Sequence, residues 1–302
     1  MYSMVKRLRV LAVVGVAVAL VASACGEADE QDKKAACPPK QEPTGVDSPA
    51  EVDPDETYSD IALVDSGFTV AKTGGSDHVS YGVLIENASD LVLYDASISV
   101  EFRDSNGNDP FKTIMDHPSA SDASIQKLKE VPVPVLMPGE RIGIGDWFNS
   151  WVSELADERT HEMVDVERPK YDDLSIGIEL VDGGFWPERN DVYSFVSAPV
   201  SSASITGDSN FQSALRGGKQ INEYMLSAYV AYEGCEEVWG AGTSSVLYDE
   251  DGTIVGGGFS SGIGSLPSGS QKSKTESKAW GPEGDVTAEV FQYAKPLKVN
   301  LK

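Results

Sequence analysis

The eight residues SVLYDEDG, Ser245 to Gly252, decide between two architectures. Carboxylates at alternating positions running into a glycine are how a calcium loop between two helices begins, but that loop also needs a distal bidentate glutamate. The residues after Gly252 are TIVGGGFSSG, without an acid, and the flanks read as strands. An Asp-Gly pair between alternating apolar stretches is a short-range hairpin signal, because the turn residues favour positive φ. The stretch therefore reads as a hairpin tip, with its acids in water and Leu247 facing an interior. A second such stretch, DSNGND at Asp104–Asp109, also lacks the following glutamate; a weak surface calcium site on Asp104, Asn106 and Asp109 stays open as the alternative. No cofactor site is expected.

Around these two turns the chain repeats itself. Tyr81 matches Tyr224, Phe68 matches Phe211 and Gly74-Gly75 match Gly217-Gly218, all at a shift of 143 residues. SVEFRDSNGN from Ser99 matches SSVLYDEDGT from Ser244 at a shift of 145, which pairs Asp104 with Asp249 and Gly107 with Gly252. Further on, LMPGE at Leu136 answers LPSGS at Leu266, Trp147 answers Trp280, and DLSIGIEL at Asp173 answers DVTAEVFQY at Asp285. Order is preserved throughout, which is the signature of an internal duplication. VSYGVLIEN, ASISVEF and LSAYVAY alternate apolar and polar positions, with Gly, Asn and Asp breaking the runs. Period-two alternation of this kind predicts antiparallel strands with one buried face. Several per hundred residues predict an all-β chain of two tandem immunoglobulin-like sandwiches.

SVLYDEDG, followed by a glycine-rich strand and LPSG, resembles the FxLYD domain, a short β-sandwich of prokaryotic lipoproteins. The second half keeps Leu247, Tyr248 and Asp249 with Ser245 at the aromatic position. The first half has Phe102, Arg103 and Asp104, and keeps the family's earlier turn as Asn87, Ala88, Ser89 and Asp90. The resemblance implies a fold and an extracytoplasmic setting, and brings neither an activity nor catalytic residues.

The N-terminus agrees with that setting. Lys6, Arg7 and Arg9 precede an apolar run from Val10 to Ala22, too short to span a bilayer as a mature helix and suited to a signal peptide. The following LVASAC looks like a bacterial lipobox, with Ala22 where Leu is usual, and implies that Cys25 is lipidated and becomes the N-terminus. Removing residues 1–24 takes the formal charge from −24 to about −27. With 48 acidic against 24 basic side chains, the chain is a poor partner for nucleic acid, whose phosphates repel it. Charge of this size also favours a monomer. Residues 25–57, rich in acids and prolines, cannot bury enough apolar surface to offset their ordering entropy and read as a disordered stalk. The expected organisation is thus a signal peptide at 1–24, a stalk at 25–57, and FxLYD-like sandwiches at 58–189 and 190–302. Cys37 and Cys235 are a candidate disulfide in an oxidising compartment.

GFSSG, Gly258–Gly262, formally matches a nucleophile elbow with Ser260 as nucleophile, but that motif needs a helix to follow, and IGSLPSGS cannot start one. His78, His117 and His161 share no metal-ligand spacing. An envelope serine hydrolase and a calcium-dependent adhesion module are therefore the rivals to a non-enzymatic binding or scaffolding module held at the outer face of the cell membrane. The halves differ by two insertions in the first, of about 15 and 21 residues, judged from the Gly107–Gly139 and Trp147–Asp173 spacings against their counterparts. SDASIQKLKEV predicts a short helix in one, capped by Ser121 or Asp122. In the other, Trp151 and Leu155 fall on one helical face. Insertions on a rigid scaffold are where binding concentrates, so Phe148, Trp151 and Leu155 are the candidate anchors for an envelope protein.

Overall fold

A computed structural model describes residues 61–72, 76–111, 130–152, 154–156, 163–165, 168–186, 200–210, 221–232, 238–266 and 271–295. Among them every regular element is a strand. The first half contains β1 (Ile61–Lys72), β2 (Ser76–Asn87), β3 (Val92–Arg103), β4 (Val131–Leu136), β5 (Arg141–Val152), β6 (Glu154–Ala156), β7 (Met163–Asp165) and β8 (Ser175–Trp186). The second contains β9 (Val200–Asn210), β10 (Ile221–Tyr232), β11 (Val238–Tyr248), β12 (Ile254–Leu266), β13 (Gln271–Pro282) and β14 (Thr287–Lys295). Cys25, Cys37, Cys235, His117, His161 and residues 121–129 of the expected first helix lie outside the described residues.

The pairing repeats as the sequence does. In the first half β1-β2-β5 and β4-β3-β8 form two three-stranded antiparallel sheets. In the second, β9-β10-β13 and β12-β11-β14 pair in the same order but join through the single pair Gly257↔Trp280 into one six-stranded sheet. Register agrees residue by residue. Tyr81 stands opposite Asp146, and Tyr224 opposite Ala279; Leu93 stands opposite Leu136, and Val238 opposite Leu266; Arg103 stands opposite Ser175, and Tyr248 opposite Thr287. These are the offsets read from the sequence. The first strand is the exception: Phe68 faces Tyr81, whereas Asp208 faces Tyr224, so the Phe68–Phe211 match is out of step there, where β9 carries bulges.

The turns at Asp104 and Asp249 also share one structure. Asp104 N–H donates to Asn108 O and Gly107 N–H to Asp104 O, as Asp249 N–H does to Thr253 O and Gly252 N–H to Asp249 O. Asp104 Oδ1 accepts the amides of Asn106 and Asn108, and Asp249 Oδ1 those of Asp251 and Thr253. The loop has three residues rather than two, and in each turn only the glycine is left-handed, at φ 79°. A type I turn closed by a glycine bulge needs positive φ at that one position. Asp104 and Asp249, the acids that open the two suggested calcium loops, thus serve the backbone.

Alternation divides each strand between two faces. On β2, Val79, Tyr81, Val83 and Ile85 point to one side and pack with Ile98, Val100 and Phe102 of β3 and with Ile142, Ile144 and Phe148 of β5. Edge-to-face contacts among Tyr81, Phe102, Phe111 and Phe148, with centroids 5.2–6.2 Å apart, fill the centre of this core. Tyr224, Leu226, Ala228, Leu247, Ala279 and Val290 form the second core, drawn from both wings of the six-stranded sheet; β9 lies against β14, so that sheet curls on itself.

The centre of the other face of the β1-β2-β5 sheet is built of Gly67, Ser80, Gly82, Gly143 and Gly145, with Thr69, Ala71 and Trp147 beside it. It packs on β11, β12 and β14 so closely that backbones touch. A Cβ on Gly82 would lie 2.5 Å from Gly256 O, and one on Gly257 would lie 2.8 Å from both Gly145 Cα and Tyr81 O. Sheets bearing ordinary side chains stack at about 10 Å; here glycine removes the spacer. Cross-sheet hydrogen bonds replace it: Thr69 Oγ1 donates to Val255 O at 2.6 Å, Gly145 N–H to Ser244 Oγ at 2.9 Å, and Tyr293 OH to Gly143 O at 2.7 Å, while Ser80 Oγ donates to Trp280 O. The glycine run Gly256–Gly258 is hemmed on both sides, since Cβ atoms there would also meet β13 at Trp280 O and Lys278 O.

The sheets thus stack as β4-β3-β8, β1-β2-β5, the β14-β11-β12 wing and the β13-β10-β9 wing, each half presenting equivalent layers in the same order. Such head-to-tail stacking can continue indefinitely unless its ends differ. They do. Where the first half places Ser80, Gly82, Gly143 and Gly145, the second places Glu223, Met225, Glu276 and Lys278, and Lys278 and Lys274 pair with Glu223 and Glu276 in water. At the other end Glu101 stands where the second half has Val246, and pairs with Arg103.

Candidate functional site

Asp77 is the anomaly on β2. It belongs to the apolar register of Val79, Tyr81 and Val83 and is fully buried, at 0% exposure. A buried carboxylate is costly unless paired and hydrogen-bonded. β5 answers with a bulge: Asp77 pairs with Trp151 and His78 with Asn149, which leaves Ser150 as the extra residue. Bulges re-aim side chains, and here two consecutive residues, Ser150 and Trp151, both serve the surroundings of Asp77.

Five groups gather around Asp77. Arg168 Nε lies 3.1 Å from Asp77 Oδ2, and its guanidinium carbon sits 4.1 Å from the centroid of the Trp151 ring. Tyr171 OH donates to the same Asp77 oxygen at 2.9 Å. Its one proton being spent, Tyr171 accepts from Ser150 Oγ, 2.9 Å away. Lys72 Nζ stands 5.1 Å above the Tyr171 ring. Burial first, and the neighbouring Asp77 carboxylate in addition, push the Tyr171 phenol well above its ordinary range, so it remains a donor. Trp151 and Tyr171 are 8% and 6% exposed while the Arg168 side chain is 40% exposed, making Arg168 the rim of the cluster.

The cluster belongs to the first half alone. Arg168 lies within the second insertion and Tyr171 just beyond it; the second half runs from Trp280 to Asp285 without an equivalent. It fastens the insertion to β2 and β5. After β5 the chain forms the hairpin β6–β7, in which Leu155 pairs with Val164, and returns through Arg168 and Tyr171 to Asp77.

The expected anchors therefore change role. Phe148 is 1% exposed and stacks on Tyr81, Phe102 and Phe111, so its side chain belongs to the core. Trp151 is in strand β5 with its ring under Arg168, and Leu155 is in strand β6; the helix expected to align them is absent from both positions, because β2 continues to pair with β5 as far as Val152. Asp109 Oδ1 accepts the Phe111 amide, Asp104 Oδ1 is taken by its turn, and Asn106 is exposed. Backbone bonds to Asn108, the largest cause, hold the Asp104 carboxyl below the usual range. Among the described residues no group of three or more His, Cys, Asp or Glu converges as a metal site. Ser260 lies inside β12, opposite Thr243, and the strand runs on to Leu266. No elbow forms there. His78 is buried beside Ser76 and Trp147 in the first half.

Asp77, Ser150, Arg168 and Tyr171 escaped the sequence reading. Asp77 had a signal, a charge on the apolar register of a strand. RIGIGDW had another, since glycines alternating with isoleucines from Arg141 mark one packed face and one face awaiting another backbone. Arg168 and Tyr171 had none, because the bulge that brings them to Asp77 is tertiary.

No family model matches this chain, and no curated protein matches it. Among solved structures, procruciferin, an 11S globulin from Brassica napus, aligns over 80% of this chain and 86% of its own at 10% identity, with a TM-score of 0.10. Nothing about fold or activity follows from so low a score.

Proposed function

We propose that this protein is a non-enzymatic binding or scaffolding module of the bacterial cell envelope, lipid-anchored through Cys25 and built of two FxLYD-like, immunoglobulin-like sandwiches. The observation that carries the binding reading is the fastening of one half-specific insertion by an ion pair to a buried carboxylate. A hairpin held by Asp77, Arg168, Trp151 and Tyr171 is a presented, preorganised element, and preorganisation lowers the cost of recognition. The glycine-lined stack beneath it supplies a stiff support. Ser260, mid-strand, offers no nucleophile geometry to the hydrolase alternative.

The test places a photo-crosslinking residue at Asp165, exposed on β7, and in a control at Asp251, exposed on the turn of the other half. In intact envelopes the first should yield a discrete adduct and the second none. Equal patterns at both positions, or none at either, defeat the reading. Loss of metabolic palmitate labelling in Cys25→Ser tests the anchor separately.

A further inference from the structure

We infer that Asp77, Trp151 and Tyr171 form a receptor for a guanidinium group, filled in this chain by its own Arg168 and exchangeable for an arginine side chain on a basic segment of the envelope partner. This rests on the reading of the insertion as the binding element and names the chemistry that element would recognise.

The receptor has the parts that a guanidinium needs. A carboxylate offers a charge-assisted acceptor, and an indole face offers its quadrupole within the roughly 6 Å over which cations are attracted. Asp77 Oδ2 and the Trp151 ring present these to Arg168 together, at 3.1 Å and 4.1 Å. Both belong to paired strands, β2 and β5, and Asp77 is held further by Tyr171, itself held by Ser150. The walls are therefore rigid.

The occupant is placed differently. Arg168 lies outside the strands, and its side chain is 40% exposed although its carboxylate partner is fully buried. The receptor is thus deep and its plug is reachable from solvent. A formal charge of −24 draws basic segments toward the protein before any contact is made. The plug competes at the effective concentration of a short tether, of order millimolar, so a partner arginine displaces it only when other contacts add to the local concentration. Vacating the receptor while keeping the chain's length should therefore expose a site for free arginine chemistry.

The experiment uses purified full chain and needs no partner, so its failure is separable from failure of the crosslinking test. In Arg168→Gln, N-acetyl-L-arginine amide should raise the melting temperature saturably, the uncharged citrulline analogue should not, and Asp77→Asn combined with Arg168→Gln should abolish the response. A rise that never saturates, is matched by the citrulline analogue, or survives in the double variant overturns the receptor. If Arg168→Gln does not fold, the wild-type chain decides: with 5-fluorotryptophan at position 151, a basic arginine peptide at millimolar concentration should shift the fluorine resonance and its citrulline counterpart should not. An unchanged resonance overturns the exchange.

Discussion

Adding one methyl group at Gly145 should separate the two halves of the molecule. An alanine Cβ there would run into Ser245 O and stand 2.6 Å from Gly258 N and 2.7 Å from Gly257 Cα. All three obstacles are backbone, so no rotamer relieves them. Restoring 3.4 Å from the nitrogen requires at least about 0.8 Å of opening between the sheets, and Ser245 O, nearer still, requires more. That would stretch bonds now at 2.6, 2.9 and 2.7 Å, from Thr69 to Val255, Gly145 to Ser244 and Tyr293 to Gly143, to about the limit of hydrogen bonding. Overpacking of this kind costs about 1–3 kcal/mol, and each weakened bond up to about 1 kcal/mol more. Replacing glycine in a strand returns about 0.5–1 kcal/mol. The net expectation for Gly145→Ala is a loss of about 2–4 kcal/mol, or roughly 4–16 °C in melting temperature for a folded unit of this size. Urea unfolding followed by tryptophan fluorescence reads it. Gly177→Ala on β8 is the control, because a Cβ there meets nothing within 4 Å, and it should be neutral or slightly stabilising. A Gly145→Ala midpoint within error of wild type, or an equal loss in Gly177→Ala, would refute the close-packing argument.

Three further outcomes follow from the same geometry. Arg168→Ala removes a cation from beside a fully buried carboxylate and should cost about 2–3 kcal/mol, discounted from the roughly 3–5 kcal/mol of a fully buried pair because the arginine is itself partly solvated; Asp77→Asn should cost less, and the reverse order in urea melts would contradict the burial of Asp77. Desolvation raises the phenol pKa of Tyr81 and Tyr293 above the ordinary value near 10, so their contribution to stability is intact below that pH and is lost as pH rises above it, when the unfolded chain ionises and the folded one does not; absorbance titration at 295 nm should show these phenols ionising only with unfolding, and Tyr293→Phe should cost about 1 kcal/mol by removing the bond to Gly143. Asp104, whose carboxyl is held low by backbone amides, contributes stability above its unfolded pKa that is lost as pH falls through the folded value; carbon-13 titration should place its midpoint below that of a model peptide, and millimolar calcium should leave the melting temperature unchanged.

How much could be read beforehand depended on how local each cause was. Strand identity was legible because alternation is a property of neighbours, and the turns at Asp104 and Asp249 were legible because an aspartate and a glycine suffice to close them. The duplication was legible because register, once set by similar turns and alternation, repeats at the same offsets. Phe148 was misplaced, and Trp151 expected on a helix rather than on β5, because an aromatic beside an insertion looks the same whether it points outward or into a core. Only the facing sheet decides, and for Phe148 that sheet carries Phe102.

The sequence by itself thus determined the class of fold, the repeat and the two hairpin turns, all of which rest on period-two burial and backbone chemistry within a few residues. Tertiary structure decided the rest. It turned the Gly/Ser centre of one sheet face into a close-packed seam with the other half, and it brought Arg168 and Tyr171 back over a bulge to a carboxylate about ninety residues earlier in the chain. Neither outcome is local: what a glycine admits, or what a buried charge requires, is fixed only by the element that arrives opposite it.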